Sequence, residues 1–164
     1  MDKESNGVQR GRQDPRRLDA ADRKLLGLLA EDATRSYVEL GKLVNLSPPA
    51  VHERVKRLKH EGVIKSTVAV IDGAAVGRSL LAFVHIDTRS WAVTRQLLKL
   101  ADLPDVEEIH TVAGDSAMLL KVRTRDTEAL ETLLGQIHQI EGFGGTRSYI
   151  VLSTYLERGP RPVP

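Results

Sequence analysis

The side chains of this sequence limit the chemistry open to it. It has five histidines and no cysteine, which excludes a disulfide framework, a thiolate metal site and a cysteine nucleophile. His52, His60, His85, His110 and His138 form no HExxH pair or other close ligand spacing, whereas a metal site needs converging ligands. His52-Glu53 is followed by Arg54 and Val55, with no second histidine at position 56. No GxxxxGK[ST] run is present, and Gly142, Gly144 and Gly145 follow an expected helix and precede an expected strand. That is the wrong order for a dinucleotide loop. The carboxylates are scattered, and Glu107-Glu108 reads as an edge-strand or interface feature. No catalytic residue, metal site, cofactor or enzymatic activity is therefore expected. What stands out is a dense positive segment, SPPAVHERVKRLKH (47–60), with Arg54, Lys56, Arg57 and Lys59 against the single acid Glu53. Cations in that density suit phosphate oxygens, and polar side chains among them can read base edges.

The elements that would carry this segment can be read from caps and spacing. Asp19 caps a first helix, with Asp22 closing a loose capping box and Leu25, Leu28 and Leu29 forming an apolar stripe. A second helix fits 36–44, with Ser36 and Glu39 in a Ser-x-x-Glu capping box. Gly41 in its middle costs about 1 kcal/mol relative to Ala; it permits a close helix crossing or is tolerated slack. Asn45-Leu46 makes a turn, and Ser47 caps a third helix with Pro48 and Pro49 in the first turn, where N–H groups lack internal partners. Val51, Val55 and Leu58 define its buried face, and Gly62 ends it. Pro49, His52, Glu53, Lys56 and His60 lie opposite that face, Arg54 and Arg57 share one flank, and Lys59 takes the other. Two short helices joined by a tight turn, the second one basic, predict a helix-turn-helix that places its second helix in a DNA major groove. The rival reading is a ligand-binding assembly protein whose helical domain contacts protein instead of DNA.

Composition agrees with a folded chain. Its 164 residues are 41% hydrophobic and 28% charged, with only six aromatic residues, so one or two small domains with an aliphatic core are expected. Residues 1–65 carry 14 Lys or Arg against 10 Asp or Glu, and residues 66–164 carry 10 against 12. The front is basic and the back slightly acidic. No apolar run approaches a membrane span and the opening residues lack a signal-peptide core, so a cytoplasmic, nucleoid-associated location is expected.

The second half changes period. Val63-Ile64 and 68–71 suggest a short strand and a linker, 80–87 a buried strand, and 91–100 a helix with Leu97, Leu98 and Ala101 inward. Trp91, at the start of that helix, is expected to pack against the subdomain. Strands are expected at 106–112, 118–122 and 149–155. A helix capped by Asp126 runs to residue 140 with Leu130, Leu133, Leu134 and Ile137 on one side. Strand, helix, strand, strand, helix, strand is the ferredoxin-like order. The fold class is therefore α+β. A flexible arm (1–17) leads to a helix-turn-helix domain (18–65), a linker (66–76), a ferredoxin-like domain (77–157) and a tail (158–164). Two helices cover one sheet face, so the other needs a second subunit; a homodimer would set two recognition helices about one turn of DNA apart. His85 and His110, on expected neighbouring strands, could approach each other.

The sequence resembles the Lrp/AsnC (leucine-responsive regulatory protein/asparagine regulator) family of transcription regulators. The resemblance covers 18–156 and is carried by LDAADRKLL near the start and by Ser47, Val51, Arg54, Val55, Arg57, Leu58, Gly62 and Ile64. Lys59 stands where the family has glutamate. HTVAGDSAMLLKV resembles the segment of the family's small-molecule-sensing domain. The resemblance implies a sequence-specific regulator of double-stranded DNA, modulated by an amino acid or related metabolite, with dimers joining into tetramers, octamers or hexadecamers, of which the octamer (a tetramer of dimers) is the favoured expectation. Ser47, Pro49, His52, Glu53, Arg54, Lys56, Arg57 and Lys59 are the DNA-facing candidates: Pro49, His52, Glu53 and Lys56 toward base edges, and Arg54, Arg57 and Lys59 toward phosphates, with Arg54 alternatively bridging to an acidic group of its own domain. By position, Thr111, Gly114, Asp115, Ser116 and Ala117 from the loop and Tyr149, Ile150 and Val151 from the final strand are the effector candidates. Ala117 replaces an acidic residue of the family pattern, and alanine cannot accept a bond from a ligand ammonium.

Overall fold

The computed structural model describes residues 18–162. They divide into two compact units, one of residues 18–68 with 158–162, the other of 69–157. The first contains α1 (Ala20–Glu31), α2 (Tyr37–Val44) and α3 (Pro48–His60). All three helices start at side-chain caps. Asp19 and Asp22 close one reciprocal box, Ser36 and Glu39 close a second, and Ser47 accepts from the Ala50 N–H. Leu25, Leu40, Val44, Val51, Val55 and Leu58 form the core. The α2–α3 turn depends on two special backbones. Asn45 caps α2 in the left-handed region at φ 56°, a conformation asparagine tolerates better than most residues. Gly41 lets that turn close, because a β-carbon there would lie 2.5 Å from the carbonyl oxygen of Leu46. The Leu46 N–H in turn donates to the Gly41 carbonyl at 2.9 Å. Gly41 is thus a close-approach site. Gly41→Ala gains about 1 kcal/mol in helix propensity, but overpacking against backbone costs about 1–3 kcal/mol. The expected net result is a lower melting temperature by far-UV circular dichroism; an unchanged or raised one would show that the turn can yield.

The second unit contains β1 (Leu80–Thr88), α4 (Trp91–Gln96), a 3-10 segment (Leu97–Asp102), β2 (Val106–Thr111), β3 (Met118–Thr124), α5 (Thr127–His138) and β4 (Phe143–Ile150). The four strands form one antiparallel sheet in the order β2-β3-β1-β4, as the ferredoxin-like reading requires. Ala82, Val84 and Ile86 of β1 and Met118, Leu120 and Val122 of β3 pack with Leu97, Leu100, Leu130, Leu133 and Ile137. The opposite face of β1 carries Phe83 and His85, paired in register with Tyr149 and Arg147 of β4 and with Lys121 and Leu119 of β3. Lys121 is surrounded by Glu107, Glu108 and Glu157 at 3.4, 3.4 and 2.6 Å. Its hydrogen bond to Glu157 above all holds its pKa above the usual lysine value.

Several local expectations are corrected. The last strand is FGGTRSYI, not 149–155, so Gly144 and Gly145 lie within it. Its partner decides this. The β1 ladder shifts register at Asp87/Thr88, and a β-carbon at Gly144 would lie 2.9 Å from the Asp87 carbonyl oxygen. Val151 retains one ladder bond to Leu81, at 2.9 Å, and the apolar Leu152 and Tyr155 beyond it are exposed. The helix expected over 91–100 is α-helical only to Gln96. Three residues per turn then place Leu97 and Leu100 on one buried face, while Leu98 and Ala101 point outward. Trp91 is also exposed. Residues 63–64 and 68–71 form no strand, and α5 stops at His138. His85 and His110 are separated by β3, both standing opposite Leu119.

Candidate nucleic-acid interface and effector loop

The basic helix presents the surface expected of it. Val51, Val55 and Leu58 are fully or almost fully buried. Ser47, Pro49, His52, Glu53, Lys56 and Lys59 are exposed, and Arg54 and Arg57 are half-buried. At the front of the helix Tyr37, Pro48, Pro49, His52 and Glu53 line an open concavity of about 400 Å³. The Tyr37 ring meets His52 edge-on, with centroids 5.3 Å apart and planes at 78°. Tyr37 belongs to this surface although only its place at the first position of α2 hints at it in the sequence.

Both arginines are bound within their own domain, as the alternative reading of Arg54 expects and as was not expected for Arg57. Asp22 is 1% exposed and lies between them. Arg54 Nη1 donates to Asp22 Oδ1 at 2.8 Å and to Asp19 Oδ2 at 2.6 Å. Arg57 Nη2 reaches both Asp22 oxygens, at 2.8 and 2.7 Å. These bonds hold both guanidinium pKa values above the ordinary arginine value, through Asp19 and then Asp22 for Arg54 and through Asp22 for Arg57. Asp19 is pulled below the usual carboxylate value, first by the Asp22 N–H and then by Arg54. One buried carboxylate thus ties the start of α1 to the basic helix. The capping spacing marked Asp22 as a helix-start residue; nothing local in the sequence marked it as the partner of residues 32 and 35 positions later.

The loop candidates lie at one end of the sheet, beside Ile86, whereas Ile150 and Val151 lie toward the other end of β1, beside Ala82 and Leu81. Thr111, Gly114 and Asp115 are exposed, Ser116 is buried and Ala117 is half-buried. The loop is anchored by the Ala117 N–H on the Ile86 carbonyl at 3.0 Å and the Val112 N–H on the Ala117 carbonyl at 3.2 Å. Ser116 Oγ contacts His85 Nδ1 at 3.0 Å and accepts from Arg147 Nη2 at 3.1 Å. Arg147 also lies 3.8 Å from Asp87, and His85 stacks edge-on against Tyr149 at 5.2 Å. Tyr149 therefore approaches the loop group through His85. Ile150 and Val151 follow it along and just beyond the strand, and no contact to the loop is seen for them. Asp87 and Arg147 are the residues that sequence reading missed, and His85 is singled out there beside His110 and not beside this loop; register pairing of His85 with Arg147 brings them together. Among the described residues no group of three or more His, Cys, Asp or Glu is placed to hold a metal ion, and no helix is long and apolar enough to cross a membrane.

Known proteins share both halves of this architecture. Residues 18–59 match the AsnC-type helix-turn-helix domain and residues 81–161 the Lrp/AsnC ligand binding domain. The chain is 35% identical to the HTH-type transcriptional regulator FL11 of Pyrococcus furiosus, over 89% of this chain and 97% of that protein. It is 38% identical to the leucine-responsive regulatory protein of Escherichia coli K12, over 82% and 85% of the two chains. Among solved structures, E. coli AsnC superposes with a TM-score of 0.80 at 29% identity, covering 88% of this chain and 99% of that one. The feast or famine regulatory protein of M. tuberculosis complexed with L-methionine does so at 0.83 and 34% identity, covering 88% and 99%. With its capped helix-turn-helix and its ferredoxin-like sheet, the chain belongs to the Lrp/AsnC family and is a DNA-binding transcription regulator of the helix-turn-helix type.

Proposed function

We propose that this regulator grips operator DNA with the outer face of α3 and that an amino acid, held at the 111–117 loop, adjusts that grip. The observation that carries the first part is the division of labour along α3. Lys56 and Lys59 enter no ion pair among the described residues and are exposed, so they are available to phosphates; this assigns Lys56, expected at the base edges, to the DNA backbone instead. Ser47, Pro49, His52 and Glu53 face outward near the helix start, where a recognition helix meets base edges. Arg54 and Arg57, engaged by Asp22, act as positioning residues. A homodimer, further assembled into an octamer at the nucleoid, completes the reading. The support for the dimer is the sheet face that no helix among the described residues covers, and the octamer rests on the family resemblance.

For the effector, Asp115 is the one carboxylate of the loop and stands in for the acid replaced at Ala117. Ser116 and Arg147 supply donors for a ligand carboxylate. The relative complexed with L-methionine favours an amino acid of that kind.

Titration of duplex against salt tests the reading. Lys56→Ala should lower affinity for all sequences alike and reduce the slope of log K against log salt by about one phosphate contact, near 0.9. An unchanged slope would remove Lys56 from the interface. L-methionine should shift the same titration curve and raise the melting temperature; no shift with any of the twenty amino acids would remove the effector role.

A further inference from the structure

We propose that Glu53 is a specificity residue that reads a cytosine in each half-site, an assignment that rests on the DNA-facing role of α3 proposed above. Glu53 is the sixth residue of α3, exposed, and on the wall of the concavity with Tyr37, Pro48, Pro49 and His52. Its spacing to Arg57, four residues on, would ordinarily give a helical Glu–Arg pair. The structure denies it that partner. The Arg57 guanidinium lies on Asp22, with Glu61 3.7 Å from its other nitrogen, and Arg54 lies on Asp19 and Asp22. The beginning of the helix thus carries a carboxylate with no ion pair among the described residues, although cations are adjacent in sequence.

A free carboxylate between two phosphate backbones is repelled unless a donor meets it. The concavity offers little else, since both prolines lack N–H groups and His52 is held edge-on by Tyr37. Among major-groove edges only cytosine N4 and adenine N6 donate. The adenine donor is flanked by the N7 acceptor, which repels a second carboxylate oxygen, so cytosine is the base that fits. The inner half of the surface is then selective through one acid, while Lys56 and Lys59 supply attraction that ignores sequence.

Selection from a randomised duplex pool with the full-length protein tests this. The unaltered chain should enrich cytosine at one position of each half-site. Glu53→Gln should switch that position to adenine, whose N6 and N7 match an amide, by about tenfold or more over cytosine. Glu53→Ala should lose preference there while the rest of the site is kept. Since residue 53 is exposed, circular dichroism melts of the three proteins should coincide, which separates misfolding from altered reading. One shared base preference in all three proteins would overturn the cytosine assignment while leaving α3 on DNA. Failure of the unaltered chain to enrich any duplex would overturn the DNA-facing reading and this assignment with it.

Discussion

Asp22→Ala should destabilise the helical unit by about 3 kcal/mol, the lower end of what breaking a buried ion pair costs. The lower end is appropriate because the Arg54 and Arg57 side chains are 28% and 38% exposed, so water can take up part of the lost interaction. Asp22 itself is almost fully buried and accepts from both guanidiniums. Its removal leaves two like charges facing each other and deletes one half of the α1 capping box. A unit of this size has only a few kcal/mol of stability. The helical transition should therefore fall by more than about 10 °C in circular dichroism, and duplex binding should fail at temperatures where the unaltered chain still binds. Asp22→Asn should be nearly as harmful, because it keeps the shape but not the charge. A loss below about 1 kcal/mol in both variants would mean that the arginines, not the carboxylate, set the geometry.

Gly142→Ala should destabilise the second unit by a similar amount, about 3 kcal/mol. Gly142 sits at φ 82°, and a β-carbon there would lie 2.5 Å from Val93 Cγ2. The left-handed backbone costs an L-residue about 1–2 kcal/mol. Crowding a stiff β-branched side chain adds about 1–3 kcal/mol. Because Gly142 leads directly into β4 while its neighbour Val93 lies in α4, the strain falls where the last strand joins the sheet. Far-UV circular dichroism in urea should report the loss as an earlier unfolding transition. Gly145→Ala is the control. No atom lies within 4 Å of a β-carbon built there and its φ is ordinary, so a small effect is expected. Equal effects at both positions would refute the steric account.

The helical unit was nearly complete in the sequence because its signals are local. Ser36-x-x-Glu39, Asp19 with Asp22, and Ser47 before two prolines each define a helix start within four residues. The stripe Val51, Val55 and Leu58 then fixes which side of α3 is free. The last strand was misplaced because YIVLSTY has the better strand composition, while pairing is a property of two segments. β1 lends its edge to FGGTRSYI, where Gly144 admits the Asp87 carbonyl. The inward set of the 91–102 region was misjudged for a related reason, since a change from 3.6 to three residues per turn rotates Leu98 and Ala101 outward.

The sequence by itself determined the helix-turn-helix, the order of the sheet and the exposed side of the basic helix. Those follow from caps, periodicity and the count of elements, which are written within short stretches of chain. Only the tertiary structure decided which cations face outward with unused charge. The helix period sets Arg54 and Arg57 on one flank, apart from Lys56 and Lys59, but does not show what that flank meets; folding brings Asp22 from α1 between the two arginines and leaves the lysines and Glu53 open. A charge is free or satisfied according to what lies within a few ångströms of it, and that is set by packing between helices far apart in sequence.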